Sequence, residues 1–449
     1  MVIDFKAYCG RILGARGLAF SRLLDSYIPD SRILVSACFL LAACGDATKI
    51  TPTHYSALAG WPNDSHAAAY KLFTDSCAVN LPRAHAWEAR DEGPVGVRSH
   101  WERVCRLAGD TPEPSDADAR QFFEANFTPY KVETESKPKG TLTGYYEPIL
   151  RGSLKRKAPY LTPVYGVPRD LGERKPYFTR AEIEAGALKD RAPVLLYVED
   201  PVMLFFLHIQ GSGKVKLPDG KLIGLQYAGQ NGRAFVPIGR LLKERGELPT
   251  PSMQGIRDWL NAHPRDRADL MNENPSYVFF KLAPGDQMAK GAQGIPLTPM
   301  RSLAVDNDRA AYGVPTWVDA TVTEYPSGRQ VPFRQLFVSQ DTGGAIRGPH
   351  RGDIFFGRGE REEWQAGRQN AQGNVYWLLP VEEGVTLLDG APKPASEAEK
   401  KPAKLPNADA ATPPTPLSAP APDALAPAME TPAAAPQASV SPFNAVTTP

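Results

Sequence analysis

The sequence predicts a mainly β protein with a helical N-terminal section. Apolar residues before Tyr130 recur at near-helical spacing, whereas short β-like runs bounded by glycine and proline follow it. From Ile295 onward the strand pattern continues with few helical interruptions, which is typical of a small barrel. These observations divide the folded part into a helical start, a mixed middle and a β-rich end.

The helical start contains two segments. The stretch "SALAGWPNDSHAAAYKLFTDSCAVN" places apolar side chains at near-helical intervals. Ser115 and Asp118 resemble a capping box, in which a side-chain oxygen accepts a hydrogen bond from a backbone N–H of the first turn. They predict a short helix that ends at Asn126.

The middle section mixes strands and helices. Four runs are predicted strands: "TLTGYYEPIL", "YLTPVYGVP", "PVLLYVED" and "VMLFFLHIQGSG". Helices are predicted over residues 179–188 and 238–246, and a third covers "MQGIRDWLNAHP" and stops at Pro264, because proline cannot continue a helix.

The β-rich end predicts a barrel of about six strands, including "WVDATVT", "RQLFVSQD", "DIFFG" and "NVYWLLP". Glycines are dense at Gly343, Gly344 and Gly348. Close crossing of chains in a small barrel explains this density without any function.

Composition excludes several classes of protein. The 449 residues, 42% of them hydrophobic, exceed what one core usually organises, so we expect two folded units with appended segments. The formal net charge of +1, with no basic block, offers no case for nucleic-acid binding. The seven histidines show no paired metal-binding spacing, so we expect neither a metal nor another cofactor.

The N-terminus resembles a bacterial lipoprotein signal. The apolar run "ILVSACFLLAA" follows Arg32 and ends before Cys44, and its eleven residues are too few to span a bilayer as a helix. We expect lipidation of Cys44 and anchoring to a membrane leaflet, with a buried core helix as the alternative. The segment before the run is long for a signal, so the true start codon stays open.

Two further segments carry expectations. After processing at Cys44, Cys77 and Cys105 remain, and either a disulfide or two buried free thiols would account for them. Residues 394–449 are dominated by Ala, Pro, Thr and Ser, which offer too little apolar side chain to offset ordering entropy, so we predict a disordered tail.

The stretch "QDTGGAIRGPHRGDIFFG" is the most informative part of the chain. It holds Asp341 and Asp353, and Asp353 is followed directly by Ile354, Phe355 and Phe356. A carboxyl group held against apolar neighbours loses hydration, its pKa rises, and it can retain a proton near neutral pH. An acid catalyst needs this property.

Several motifs together resemble the membrane-bound lytic murein transglycosylase A family. Asp306, Asp341 and Asp353 look like the three aspartates of the 3D domain, and the resemblance covers roughly residues 144–380. The upstream motifs occur in the family's order: "GYYEP", "TRAEIEAGAL", "HIQGSG", "YAGQNGRAFVPIG", "SMQGIRDWL" and "NPSYVFFKL".

The resemblance implies a double-psi β-barrel domain interrupted in sequence by a second β-rich domain, with a groove between them for a glycan strand. It gives a signal region over 1–43, a helical section and barrel start over 44–143, an inserted substrate-binding domain over 144–285, a barrel over 286–385 and the tail over 394–449.

The resemblance also implies cleavage of the β-1,4 bond between N-acetylmuramic acid and N-acetylglucosamine in peptidoglycan, with 1,6-anhydromuramic ends. The attacking oxygen is the sugar's own C6 hydroxyl, so one carboxyl can act as acid and then as base. Asp353 is assigned this role, Asp341 is expected to be structural or supporting, and Asp306 is expected to support the barrel.

Sugar contacts are expected from amides, hydroxyls and aromatic faces, with ordinary core or turn duty as the alternative for each residue. The candidates are Tyr145, Tyr146, Glu147, Gln210, Ser212, Tyr227, Asn231 and Lys281.

The sequence is compatible with two functions of different classes. The favoured one is a glycan-cleaving lyase, and the other is a noncatalytic, expansin-like lipoprotein that grips peptidoglycan. Either would be a lipoprotein of the bacterial envelope on its periplasmic side, with the outer membrane as the expected anchor. Complexes with wall-synthesis machinery are expected because wall-lytic enzymes must be restrained, although no docking surface is evident.

Overall fold

A computed structural model describes residues 47–111 and 113–381 of the chain. The predicted signal region, Cys44 and the predicted tail lie outside these residues. Among the described residues, no helix is both long enough and apolar enough to cross a membrane.

Nine α-helical segments occur in the described part. Their bounds are α1 (His66–Asn80), α2 (Arg98–Gly109), α3 (Asp116–Asn126), α4 (Arg180–Glu182), α5 (Pro201–Gln210), α6 (Ile238–Glu244), α7 (Met253–Ala262), α8 (Arg267–Asn272) and α9 (Glu360–Ala366). Short 3₁₀ turns cover Tyr55–Ala57 and Trp61–Asn63, and a π-helical turn, Ile183–Ala187, continues α4.

Sixteen strands occur in the same residues. Their bounds are β1 (Thr48–Pro52), β2 (Glu88–Ala89), β3 (Gly93–Pro94), β4 (Phe127–Thr134), β5 (Gly140–Tyr145), β6 (Ile149–Ser153), β7 (Thr162–Tyr165), β8 (Val194–Val198), β9 (Ser212–Lys216), β10 (Leu222–Gln230), β11 (Val278–Pro284), β12 (Ser302–Val305), β13 (Pro315–Thr323), β14 (Gln330–Thr342), β15 (Gly352–Phe355) and β16 (Asn370–Pro380).

Six of the eight strands of the larger sheet form a closed barrel, and a barrel of about six strands was expected from the sequence. Its strands follow the order β16, β13, β14, β12, β15 and β5, and a β16–β5 pairing closes the ring. The β12–β14 and β15–β5 pairs are parallel, and the fold is that of a double-psi barrel. β4 pairs along β16 outside the ring, and β1 pairs along β4.

The three N-terminal helices cover the barrel and share its core. Trp61, Phe73 and Trp101 are almost fully buried in the same apolar cluster as Trp317 of β13. A disulfide joins Cys77 of α1 to Cys105 of α2, with the Cα atoms 5.4 Å apart, which is the first of the two alternatives that the sequence left open. Ser115 accepts a hydrogen bond from the Asp118 N–H, so the predicted cap and helix α3 are confirmed.

A second, six-stranded sheet is built from the chain between β5 and β12. Its order is β11, β10, β9, β6, β8 and β7, and helices α4 to α8 belong to the same part of the chain. The helices predicted over 238–246 and before Pro264 are confirmed as α6 and α7. The chain enters this sheet directly after β5, so both sheets meet at the stretch that follows Tyr145.

One predicted strand was wrong. The run "VMLFFLHIQGSG" forms helix α5 up to Gln210, and only its last residues enter β9. A continuously apolar run has no period that separates a strand from a buried helix. The helix is specified by its ends, because Asp200 caps the N–H groups of Val202 and Met203, and Gly211 takes the left-handed conformation that terminates it.

Candidate functional site

Two aspartates lie in one row across the outer face of the barrel. Ala304 of β12 pairs with Asp341 of β14 on one side and with Asp353 of β15 on the other, and Asp353 pairs in turn with Thr143 of β5. Neighbouring strands are roughly 4.8 Å apart, so the two aspartate Cα atoms are separated by about 10 Å.

Strand alternation explains why this row faces outward. Leu142, Leu303 and Ile354, each adjacent in sequence to a residue of the row, are buried in the barrel core. Successive side chains of a strand point to opposite faces, so Thr143, Ala304 and Asp353 point away from that core.

Asp353 is a partly exposed carboxyl with one direct protein donor. The Thr143 hydroxyl donates to its Oδ1 over 2.5 Å, and Arg351 Nη2 donates to the same hydroxyl over 2.6 Å. Burial raises the pKa of Asp353, while the Arg351 charge and the Thr143 hydrogen bond act against the rise. Among the described residues, nothing donates to Oδ2 of Asp353, so this oxygen is available to a ligand.

Asp341 differs because both of its oxygens are engaged. Its Oδ1 accepts from the Ala292 and Thr342 N–H groups, each over 2.9 Å, and its Oδ2 accepts from the Tyr145 hydroxyl over 3.0 Å. Burial raises the pKa of Asp341 to about 6, and the charge of Asp353 adds to the rise, while the three donors oppose it. Although its pKa is raised, Asp341 is held by three donors, whereas Asp353 has one.

Gly291 allows the loop beside Asp341 to approach closely. A Cβ at this position would lie 2.5 Å from the Gln340 carbonyl oxygen and 3.2 Å from the Asp341 Cβ. The missing side chain brings the N–H of Ala292 within hydrogen-bonding distance of the carboxylate.

Asp306 is buried and holds the loop that connects the two other aspartates. It follows β12 and accepts from the Gly348 N–H over 2.7 Å, and the Arg347 guanidinium lies 3.4 Å away. Gly348 has φ 111°, a conformation that favours glycine. Asp306 therefore positions the chain between Asp341 and Asp353 and does not reach the row itself.

The second sheet contributes a row of polar side chains. Ser212 of β9, Gln226 of β10 and Lys281 of β11 are paired in register and therefore share one face. Gln226 lines a cavity of about 270 Å³ together with Lys214 and Lys290. Lys290 is two residues from Ala292, whose N–H donates to Asp341.

Gln226 was missed by the sequence prediction. The alternation of apolar and polar residues in "GLQYAGQ" could have indicated a strand with Gln226 on its polar face. Tyr227, which was predicted, lies on the opposite face of β10 and is 46% exposed. Ser212 and Lys281 stay predicted sugar contacts, and so does Tyr227.

Four other predicted contacts have partners within the protein. Tyr146 is 2% exposed, and its N–H donates to Oε1 of Gln210, which is half-buried. Asn231 is 1% exposed, and its side-chain amide hydrogen-bonds to the backbone of Phe178, Pro275 and Tyr277. These contacts favour the structural alternative for Tyr146 and Asn231, and they tie Gln210 to the entry of the second sheet.

Glu147 is the fourth of these residues and is 1% exposed. One oxygen lies 3.3 Å from Nζ of Lys214, and the other lies 2.5 Å from Nη2 of Arg358. Lys214 belongs to the second sheet and Arg358 follows a barrel strand. Glu147 therefore links the two sheets through charge, and the sugar contact predicted for it stays a prediction.

No group of three or more metal-ligating side chains is gathered anywhere in residues 47–111 and 113–381. The site described above consists of carboxylates, hydroxyls and amides, and these groups suit hydrogen bonding to a polyhydroxylated ligand.

Comparisons with known proteins agree with this arrangement. A family model described as the MltA specific insert domain matches residues 141–281, and a 3D domain model matches residues 301–379. The chain is 34% identical over 263 residues to membrane-bound lytic murein transglycosylase A of Vibrio cholerae, covering 57% of this chain and 69% of that protein.

Solved structures are similar as well. A membrane-bound lytic murein transglycosylase from Agrobacterium tumefaciens gives a TM-score of 0.66 at 32% identity, covering 74% of this chain and 98% of that one. E. coli MltA with bound chitohexaose gives a TM-score of 0.57 at 28% identity, covering 71% of this chain and 91% of that one.

Proposed function

Because the chain belongs to the membrane-bound lytic murein transglycosylase A family, we propose that it cleaves the glycan strands of peptidoglycan as a lytic transglycosylase. The bond broken is the β-1,4 link between N-acetylmuramic acid and N-acetylglucosamine, and the product is a 1,6-anhydromuramic end. This makes the protein a carbon–oxygen lyase that acts on polysaccharides. The observation that carries the proposal is Asp353, whose pKa is raised and whose Oδ2 faces no donor among the described residues.

Asp353 performs both proton transfers. In its protonated form it gives its proton to the glycosidic oxygen, so the C1–O bond breaks and the N-acetylglucosamine side leaves with a hydroxyl. The C6 hydroxyl of the muramic acid then bonds to C1, and the Asp353 carboxylate accepts the C6 proton. The nucleophile is tethered to the same ring, so no second carboxylate is needed to activate water.

Asp341 supports this step as a fixed negative charge. Its three donors, with Tyr145 among them, hold the carboxylate in one orientation on the same barrel face. A positive charge develops at C1 in the transition state, and a preorganised carboxylate nearby stabilises it. Asp306 acts indirectly, through the loop that it holds.

The glycan lies between the barrel row and the second sheet. Gln226, Ser212 and Lys281 present an amide, a hydroxyl and an ammonium group to sugar hydroxyls and acetamides. The chitohexaose bound to E. coli MltA supports an N-acetylated sugar oligomer as the ligand. We divide the chain accordingly into an inserted domain over 144–285 and a barrel domain over 286–385 that also uses β5.

The protein acts in the bacterial cell envelope. We propose lipidation at Cys44 and an outer-membrane anchor with the enzyme on the periplasmic side, because the sequence before Cys44 resembles a lipoprotein signal. Restraint through wall-synthesis complexes is part of the same proposal and rests on the hazard of unregulated wall cleavage.

Digestion of purified sacculi tests the function. Soluble fragments analysed by mass spectrometry are expected to carry anhydro ends. Fragments with reducing ends would identify a hydrolase, and binding without release would identify the noncatalytic wall-binding alternative.

A further inference from the structure

A second cavity of about 440 Å³ lies at the start of strands β5 and β15, and Arg351, two residues before Asp353, is part of its wall. It is lined by Thr141, Lys137, Lys139 and the loop over residues 347–351. Its volume falls within the range of small-molecule sites, about 300–1,000 Å³. The reaction proposed above assigns it no task.

Two residues of the cavity wall connect it to the reacting carboxyl. Arg351 lines it and donates to the Thr143 hydroxyl, which donates to Asp353. Thr141 also lines it and shares a strand face with Thr143, roughly 7 Å further along β5. A ligand cleaved at Asp353 can therefore extend a branch into this space.

The acidic groups in the wall are largely matched by basic ones. Asp306 accepts from the Gly348 N–H, and Arg347 lies 3.4 Å from it. Asp308 lies 3.1 Å from Arg90 and 3.7 Å from Arg347. These two carboxylates hold the loop and leave little negative charge facing the cavity.

Unlike these carboxylates, the two lysines of the wall have no partner of opposite charge among the described residues. In the part of the chain that the structure describes, no carboxylate pairs with Lys137 or Lys139, and both residues are exposed. Arg309, another residue of the wall, forms an ion pair with Glu92 at 2.6 Å. Once Asp306 and Asp308 are paired, Asp91 is the remaining acidic residue of the wall. Two lysines and Arg351 against one aspartate give the cavity a net positive charge, which favours an anionic ligand.

We propose that this cavity binds the peptide carried by the N-acetylmuramic acid of the substrate, through the carboxylates of that peptide; the inference rests on the proposed function. The N-acetylated sugars are uncharged, and the one carboxyl of the muramic acid, on its lactyl group, is used in the amide bond to the peptide. The glycan therefore does not explain a basic cavity, whereas the peptide supplies several carboxylates. It branches from C3 of the same ring whose C1 is attacked. Four extended residues reach about 14 Å, which is enough to enter a cavity next to Asp353.

Kinetics on two substrates test the inference. The double variant Lys137→Gln/Lys139→Gln and the unaltered full chain are compared on purified strands that carry peptides and on the same strands after an amidase has removed them. Release of anhydro ends gives kcat/KM. We expect the double variant to lose about tenfold on peptide-bearing strands, because it removes two charged contacts to the peptide. We expect a clearly smaller loss on stripped strands, whose only carboxylate is the lactyl group that the amidase frees.

Lys243→Gln, an exposed lysine of α6, is the matched control and should match the unaltered chain on both substrates. Equal rates for the double variant and the unaltered chain on both substrates would overturn the inference. Equal losses on both would also overturn it, because the lysines would then contact the glycan. If the unaltered chain releases anhydro ends from neither substrate, the proposed function itself fails, and these outcomes are distinct.

Discussion

Thr143 and Asp353 lie side by side on the parallel strands β5 and β15, and the threonine hydroxyl donates to the carboxylate over 2.5 Å. The two residues are 210 positions apart in sequence, because the whole second sheet is inserted between their strands. The hydrogen bond favours the charged form of Asp353, while burial favours the protonated form. The balance sets the pH range in which Asp353 can act first as an acid.

Thr143→Val should shift the basic limb of the pH–activity profile to higher pH. Asp353 must be protonated for the first step, so activity falls as pH rises through its pKa. Valine removes a donor that holds this pKa down, so the pKa of Asp353 rises and the limb moves to higher pH. Measurement of kcat/KM against pH checks the shift. An unchanged basic limb would separate Thr143 from the titration of Asp353.

Tyr145→Phe should shift the acidic limb of the pH–activity profile. Its hydroxyl donates to Asp341 and opposes the rise of the Asp341 pKa, which stands at about 6. Asp341 supports the reaction as an anion, so activity falls as pH drops through its pKa. Without the donor that pKa increases, and the acidic limb moves to higher pH by about one unit. A shift of the basic limb instead would assign Tyr145 to Asp353.

Glu147→Gln should destabilise the fold. Glu147 is buried between Lys214 and Arg358, and its removal leaves two cations without their counter-charge. Breaking a buried pair in this way costs about 3–5 kcal/mol of the free energy of unfolding. Denaturant unfolding measures the loss. Glu199→Gln is the matched control, because its pair with Arg151 is largely exposed and should be worth less than about 1 kcal/mol. Equal effects for the two variants would contradict the account of Glu147 as a link between the sheets.

Removal of the Cys77–Cys105 disulfide should weaken the helical cover of the barrel. The bridge closes a loop with a sequence separation of 28 residues, and opening such a loop costs about 3 kcal/mol through the greater entropy of the unfolded chain. Cys77→Ser/Cys105→Ser should lower Tm, while reductant should lower Tm only in the unaltered protein. A reductant-insensitive Tm in the unaltered protein would show that the thiols are free.

The sequence predicted the elements whose local signals are strong and missed those set by distant partners. Strands β13 to β16 were recognised as short apolar runs bounded by turn residues, whereas β12 was not, and the Ser115 cap lies next to the helix that it starts. Helix α5 was mistaken for a strand because its apolar run has no period, although Asp200 and Gly211 mark its ends. Local pattern was therefore sufficient for most of the fold.

The site shows the same limit more clearly. Asp353 and Asp341 were recognisable from their motif, but Thr143 and Gln226 acquire their positions only through strand pairing with remote parts of the chain. Conversely, Glu147 and Asn231 resembled polar ligand contacts in sequence, and the structure buries both against internal partners. Burial of a polar residue depends on the tertiary fold, and no spacing rule reveals it.

The most direct test of the account compares Asp353→Asn with Asp341→Asn for the rate at which anhydro ends are released from purified glycan strands. Both substitutions keep the shape of the side chain, and circular dichroism and Tm should confirm that both variants fold. Loss of the acid and base should lower the rate of Asp353→Asn by about 10³-fold or more. Asp341→Asn removes only a supporting charge and should lose less than about a hundredfold. A folded Asp353→Asn protein that still releases anhydro ends, with Asp341→Asn inactive, would contradict the account and move the proton transfers to Asp341.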